Sequence, residues 1–333
     1  GSSHTCVSST NELFCWGVDY NGQLGSGMYG GIKEIKDAKP IQFSKGVVKQ
    51  IQSIKANSNS TCVIADSELY CWGYNASGRF NSSTPESIAK PGKIEMVGQL
   101  LGREIQEVGI GSDYLCVLAS SAPLCWGANQ QGQLGNGSNL SSSIQVKVSS
   151  TVVKAGSTLD LSVANSTSCA IAEGRIYCWG SSNQLQGGRI MPQMSSTPLV
   201  VGVDSSGLQF KSITNLGSAE NYSTSYHFVA DGKSYLVTPV VDKDLKPLTF
   251  PRIQTNLGGI QDKEITKFIQ RSNFQCYLVN KEMYCQGDNS RGQLGNGSIQ
   301  YSDVPLKVDA SGVLKGKDID DFVMGNGHAC VLS

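Results

Sequence analysis

Ten of the eleven cysteines in this 333-residue chain fall into five pairs with eight residues between the partners: Cys6/Cys15, Cys62/Cys71, Cys116/Cys125, Cys169/Cys178 and Cys276/Cys285. Self-similarity at a fixed period is the signature of a repeat protein, and it constrains the architecture before local propensities are weighed. Taking the first cysteine of each unit as a marker gives positions 6, 62, 116, 169, 228, 276 and 330, where 228 is a Phe, so that 324 residues span six periods of 54. The ends share one part of the repeat, His4-Thr5-Cys6 and His328-Ala329-Cys330, and Cys330 has no cysteine nine residues on. These features predict one all-β domain over 1–333, six repeats plus the start of a seventh, incomplete at one or both ends.

Placing the ten-residue unit on a hairpin centred at Thr10-Asn11 pairs Ser9 with Glu12, Ser8 with Leu13, Val7 with Phe14 and Cys6 with Cys15. Counting outward from a two-residue loop, the cysteines occupy a non-hydrogen-bonded pair with Cα atoms roughly 4.5 Å apart, the short end of the disulfide range. Zinc sites bring in ligands on shorter knuckles, and neither such a knuckle nor a His-x-His pattern occurs. The competing arrangement is a set of buried reduced thiols. Against it stands paired replacement: the one repeat without cysteines has Phe228 and Val237 at the two positions, losing both together.

Within a period we read four short strand candidates bounded by Gly, Ser, Asn or Pro. In the second unit these are Val47 to Ile54, a stretch ending at Cys62-Val63-Ile64, Leu69 to Trp72, and a strand around Ile94 to Val97. Four antiparallel strands per unit are what a propeller blade requires, and no stretch keeps a helical apolar period. Leu13-Phe14-Cys15-Trp16 is apolar on both faces, so this strand belongs inside a blade flanked by neighbours, and Trp16, Trp72, Trp126 and Trp179 become packing residues between blades. The glycine after each Trp marks a bend or a close backbone approach. Gly22-Gln23-Leu24-Gly25, repeated at 132–135 and 292–295, supplies turn glycines and a leucine to tuck between blades.

The string Cys125-Trp126-Gly127-Ala128-Asn129-Gln130-Gln131-Gly132-Gln133-Leu134-Gly135 resembles the regulator of chromosome condensation repeat, and the resemblance covers essentially the whole chain. It implies a β-propeller, usually of seven blades. The family includes a nuclear guanine-nucleotide exchange factor, a secreted inhibitor of β-lactamases, receptor ectodomains and many surface proteins. Its repeats specify the scaffold and leave the activity open.

With 27 basic and 27 acidic residues the formal net charge is zero, which gives no electrostatic footprint for nucleic acid or an anionic membrane surface. No apolar run long enough to cross a bilayer is present. Disulfides imply an oxidising compartment, so the expected location is extracellular or at the cell surface. Eight Asn-x-Ser/Thr sequons agree, at Asn59, Asn75, Asn81, Asn136, Asn139, Asn165, Asn221 and Asn296; roughly four would arise by chance. The absence of a leader is read as a mature ectodomain or a fragment.

No catalytic constellation stands out. The three histidines, His4, His227 and His328, sit at or beside one repeat position and read as loop caps. Asp242/Asp244 and Asp318/Asp320/Asp321 lack the glycine and terminal glutamate of a calcium loop. We therefore expect no catalytic residue, metal or cofactor, and a non-enzymatic extracellular module that binds or assembles through loops on a propeller face. Its partner would be a protein, a glycan or another copy of the chain; an exchange factor or chromatin binder, and a secreted inhibitor or lectin, are the alternatives. The irregular fifth unit, about 200–250, reads first as drift in a tolerant scaffold and second as a blade where partner contacts can be built.

Overall fold

The computed structural model describes the whole chain except residues 2, 10–11, 29–34, 44–45, 47, 58, 76–77, 81–85, 150–157, 182–193, 202–212, 218–225, 232, 238–239, 242–246, 249–251, 254–256 and 272. Two compact units are present: Gly1–Glu173 with Tyr177–Ser181 and Gln193–Leu199, and the remainder through Ser333.

The strands form antiparallel meanders in chain order. A first sheet has three strands, His4–Ser9, Glu12–Gly17 and Ile35–Pro40. The second runs Ile51–Ala56, Ser60–Ala65, Glu68–Tyr74, Ser87–Lys93, and the third Ile105–Ile110, Tyr114–Ala119, Ala122–Gly127, Ser142–Lys147. The fourth comprises Thr158–Ala164, Thr167–Ala172, Arg175–Ser181 and Met194–Val201. The second unit holds a fifth sheet, Ile213–Gly217, Tyr226–Ala230, Lys233–Val237 and Arg252–Ile253. Its sixth is Ile265–Arg271, Phe274–Val279, Glu282–Gly287 and Ser302–Lys307. A two-stranded sheet, Asp321–Met324 with Ala329–Leu332, follows.

The cysteine hairpins close on two-residue turns. Asp66-Ser67, Ser120-Ser121 and Asn280-Lys281 all have both φ values between +48° and +63°, the primed-turn geometry whose twist matches that of the flanking strands. Glu173-Gly174 does the same in the fourth sheet, at +52° and +69°. These turns set the register that places Cys62 opposite Cys71, Cys116 opposite Cys125 and Cys276 opposite Cys285, and Cys6 lies opposite Cys15 in the first hairpin. Across the Glu173-Gly174 turn Cys169 is bonded to Cys178, which is fully buried, with Cα atoms 4.1 Å apart.

All five pairs are disulfide-bonded. Their Cα separations correct the sequence expectation slightly: Cys6–Cys15 and Cys276–Cys285 stand at 4.2 Å, and Cys62–Cys71, Cys116–Cys125 and Cys169–Cys178 at 4.1 Å, inside the roughly 4.5 Å of an unbridged pair. A short covalent link draws the two strands together at that point. Each bridge is therefore a staple inside one hairpin.

Two further expectations are corrected by register. In the fifth sheet Ala230 pairs with Lys233, so His227 faces Leu236 and Phe228 faces Tyr235. The positions equivalent to cysteine are His227 and Leu236, one residue earlier than Phe228 and Val237, because the turn at Asp231 begins one residue earlier. In the second sheet the fourth strand is Ser87–Lys93, and Ile94–Val97 follows it. Pro91 and Gly92 disguise this strand in sequence; as the outermost strand it tolerates both, since only one side of its backbone is in the ladder. Ile94 is nonetheless buried, and its N–H bonds the Leu69 carbonyl at 2.8 Å.

The core lies between sheets. Leu69, Tyr70, Cys71 and Trp72 of the third strand are all at most 1% exposed, as two-sided apolarity predicts for a strand covered on both faces. Ile176, Tyr177, Cys178 and Trp179 repeat this burial in the fourth sheet. Leu13, Val63, Tyr70 and Trp72 share one cluster of the first unit, and Tyr114, Leu134, Leu161 and Trp179 another. In the second unit Phe274, Leu278, Met283, Ile319 and Phe322 pack together.

Candidate binding surface

In a four-stranded meander, the connection between strands one and two and that between strands three and four leave from the same end. The longer of the two is built by a repeated polar clamp. Asn129, buried, accepts the Leu134 N–H on Oδ1 at 2.9 Å, while its Nδ2 donates to the carbonyls of Ser138 and Leu140 at 2.8 and 3.0 Å. Asn289 does the same with Leu294 and Ser298 at 2.9 and 3.0 Å. Asp19 substitutes in the first sheet, accepting from Leu24 N–H and from the Ser26 hydroxyl, both at 2.9 Å. Burial pushes the Asp19 carboxyl up, and these two donors oppose the shift. A buried amide or carboxylate that satisfies several loop groups makes the loop's shape a property of one side chain.

The clamp delivers the Gly-Gln-Leu-Gly tract onto the next sheet. Leu24, Leu134 and Leu294 are fully buried. The indole N–H groups of Trp72 and Trp179 donate to the carbonyls of Gln23 and Gln133 at 2.9 Å. A Cβ on Gly25 would stand 2.9 Å from Trp72 Nε1, at a φ of +74°. Trp72, Trp126 and Trp179 are thus closed between neighbouring sheets, whereas Trp16 is only partly buried.

Between the second and third sheets Arg79 stands where the other tracts have Gln. It is 1% exposed, donates through Nη1 to the carbonyls of Gly111 and Ser112, and donates through Nη2 to Ser60 Oγ and the Tyr74 carbonyl, both at 2.7 Å. Burial pulls its guanidinium down to about 10, against the favourable charge of Asp113. Its own carbonyl accepts the Trp126 indole at 2.6 Å. This junction also has Leu115 where its neighbours have a hydroxyl. The first-to-second and third-to-fourth junctions use a hydroxyl at that repeat position, Thr61 and Ser168, to reach the carbonyls of Gln23 and Gln133. His4, buried, donates from Nε2 to Thr61 Oγ1 at 2.9 Å, because the Thr61 hydroxyl hydrogen is spent on Gln23.

A second polar array runs along the first strands of sheets two to four. Lys55 Nζ lies 2.8 Å from Glu107 Oε1, and Glu107 Oε2 accepts the Leu161 N–H at 3.0 Å. Asp160 is held beside Glu107, and burial, followed by the Glu107 charge and hydrogen bond, pushes its carboxyl up to about 7. In the second unit Lys267 pairs with Asp321, and Lys281 lies 3.2 and 3.5 Å from Asp318 and Asp320. Lysines answer this acidic run. Asp242 and Asp244 are outside the described residues, and among the described residues no group of three metal-ligating side chains is gathered. No helix of the described residues is long and apolar enough to cross a membrane.

The described sequons, Asn59, Asn75, Asn136, Asn139, Asn165 and Asn296, all stand in connections at the clamped end of their own sheets. Asn59 and Asn139 are exposed, while Asn136, Asn165 and Asn296 are half-buried. Asn75 differs: it occupies the clamp position, is 2% exposed, and accepts the Phe80 N–H on Oδ1 at 2.8 Å. Asn81 and Asn221 lie outside the described residues, as does most of 200–250. Sequence reading missed the clamp residues, Arg79 and the Lys55/Glu107/Asp160 array. The clamp had a signal, an Asn or Asp four residues after the second cysteine; the others had none, since each depends on contacts 19 to 54 residues away.

The chain has an all-β, RCC1-like β-propeller fold of blade-like sheets. Human WBSCR16 superposes with a TM-score of 0.76 at 18% identity, covering 100% of this chain and 85% of that one. Prp20p of Saccharomyces cerevisiae gives 0.73 at 16%, covering 99% and 79%. In sequence, the chain is 24% identical over 342 residues to the human E3 ubiquitin-protein ligase HERC2, which covers all of this chain but spans 6% of that protein's length. It is 28% identical over 191 residues to the Ultraviolet-B receptor UVR8 of Arabidopsis thaliana, covering 54% of this chain and 40% of that protein. No protein-family model matches.

Proposed function

We propose that the 333 residues form a single propeller domain that works outside the cell or at its surface as a non-enzymatic, glycan-bearing module for binding and assembly. The observation that carries this reading is the set of five hairpin disulfides, which persist in oxidising compartments and are rare in the cytosol and nucleus. Balanced charge fits the same reading, because a chromatin-binding surface would need net basic character. The partner is a protein or a glycan, with a second copy of the chain included among proteins. Protein binding is supported by likeness to Prp20p, whose structure was described with its binding to Gsp1p and histones. Exchange-factor activity is the competing role drawn from that likeness, and the disulfides weigh against its compartment.

The test is mass spectrometry of protein from its native source, alkylated before and after reduction. Five intact bridges are expected, at Cys6–Cys15, Cys62–Cys71, Cys116–Cys125, Cys169–Cys178 and Cys276–Cys285. Alkylation of all ten paired cysteines in unreduced material, beyond Cys330, would overturn the extracellular reading and leave the exchange-factor role as the better one.

A further inference from the structure

The sequons are not equivalent once folded. Asn59 and Asn139 are exposed at loop tips. In the second unit Asn296 uses its Oδ1 to accept the Ser298 N–H and hydroxyl, at 3.2 and 3.0 Å, and the Asn289 amide at 3.2 Å. This Asx turn keeps the amide oxygen on the loop side. Asn75, by contrast, is enclosed: Oδ1 holds Phe80 N–H, its own N–H donates to the Glu86 carbonyl at 2.6 Å, and its carbonyl accepts from Gly78 at 3.2 Å.

The loops of Asn139 and of the half-buried Asn296 also carry exposed apolar side chains. Leu140, next to Asn139, is 78% exposed, and Ile144 nearby is 62% exposed. Ile299 and Tyr301, three and five residues beyond Asn296, are 67% and 70% exposed. A flexible, polar oligosaccharide on the neighbouring asparagine would lie over these side chains.

From exposure, loop geometry and these apolar neighbours, we infer that Asn59, Asn139 and Asn296 carry N-linked glycans and Asn75 does not, so that the sugars leave from the clamped end of their sheets. This rests on the extracellular reading above. The co-reactant is a lipid-linked oligosaccharide diphosphate, used by the transferase of a secretory compartment. Asparagine Nδ2 forms a bond to the anomeric carbon, the bond from that carbon to the diphosphate oxygen breaks, the lipid diphosphate leaves with the electron pair, and the amide nitrogen gives up one proton. Nothing is oxidised or reduced.

The full chain, secreted from a eukaryotic cell, is digested with peptide N-glycosidase in heavy-oxygen water and mapped by mass spectrometry, with the disulfides read from an unreduced aliquot. Heavy aspartate is expected at 59, 139 and 296, with asparagine unchanged at 75, and Asn59→Gln or Asn139→Gln should each remove one glycan step from the intact mass without loss of secretion. Disulfide-complete protein with no label at 59 and 139, or with label at 75, overturns the inference while leaving the extracellular reading in place. Free thiols at the five pairs would instead sink that reading, whatever the glycans show.

Discussion

The glycine after each tryptophan shows how much a single residue decides. Gly127 sits at a φ of +112°, in a bulge between Cys125 and Gly127 where the third strand shifts register against the fourth. A Cβ there would stand 2.6 Å from both the Asp113 carbonyl oxygen and Tyr114 Cα. The following N–H, of Ala128, is bonded to that same carbonyl at 2.9 Å, so the clash cannot be relieved without breaking the tie between the second and third strands' loops. We expect Gly127→Ala to cost about 1–3 kcal/mol from backbone strain, read as a lowered urea midpoint at unchanged slope. A cost near zero would mean that the bulge relaxes freely. The sequence motif announces this glycine, and the chemistry behind it is visible only when the carbonyl opposite is placed.

At the scale of the hairpin, the disulfides are local. Each closes a nine-residue separation between adjacent strands, so it restrains the unfolded hairpin and ties no sheet to its neighbour. Loop-entropy arguments give about 2–4 kcal/mol for a bridge of this kind. Replacing Cys116 and Cys125 together by Val, which keeps an apolar pair at fully buried positions, should lower stability by about that amount in chemical denaturation. Its cross-strand register should persist, since Ser120-Ser121 sets it independently through a turn with both φ positive. Loss of the native disulfides elsewhere, by shuffling, would show that the bridge also guides pairing during folding.

On the scale of several sheets, cohesion of the first unit is electrostatic as well as apolar. Lys55, Glu107 and Asp160 come from three successive sheets and meet along their first strands. The folded chain holds a proton on Asp160 up to about pH 7, whereas the unfolded chain releases it near the ordinary aspartate value of about 4. Between those values the folded state binds more protons, so stability falls as pH rises across that window. Thermal melts from pH 4 to 8 should show this decline, and Asp160→Asn should flatten it; an unchanged slope in the variant would place the titration elsewhere.

Read from sequence alone, the repeat determined the architecture. Paired cysteines, the Trp-Gly step and the Gly-Gln-Leu-Gly tract recur as short strings at one period, so hairpins, disulfides, the buried third strand and the fold class were legible in the sequence. What the tertiary structure decided lies in contacts far apart in the chain and in the register of one hairpin. Arg79 against Gly111 and Ser112, and Glu107 against Lys55 and Leu161, are contacts that no local pattern encodes. The one-residue shift to His227 and Leu236 in the fifth sheet belongs with them. Spacing alone could align that repeat two ways, and the turn's position in the folded sheet chose between them, because register moves every side chain of a strand together.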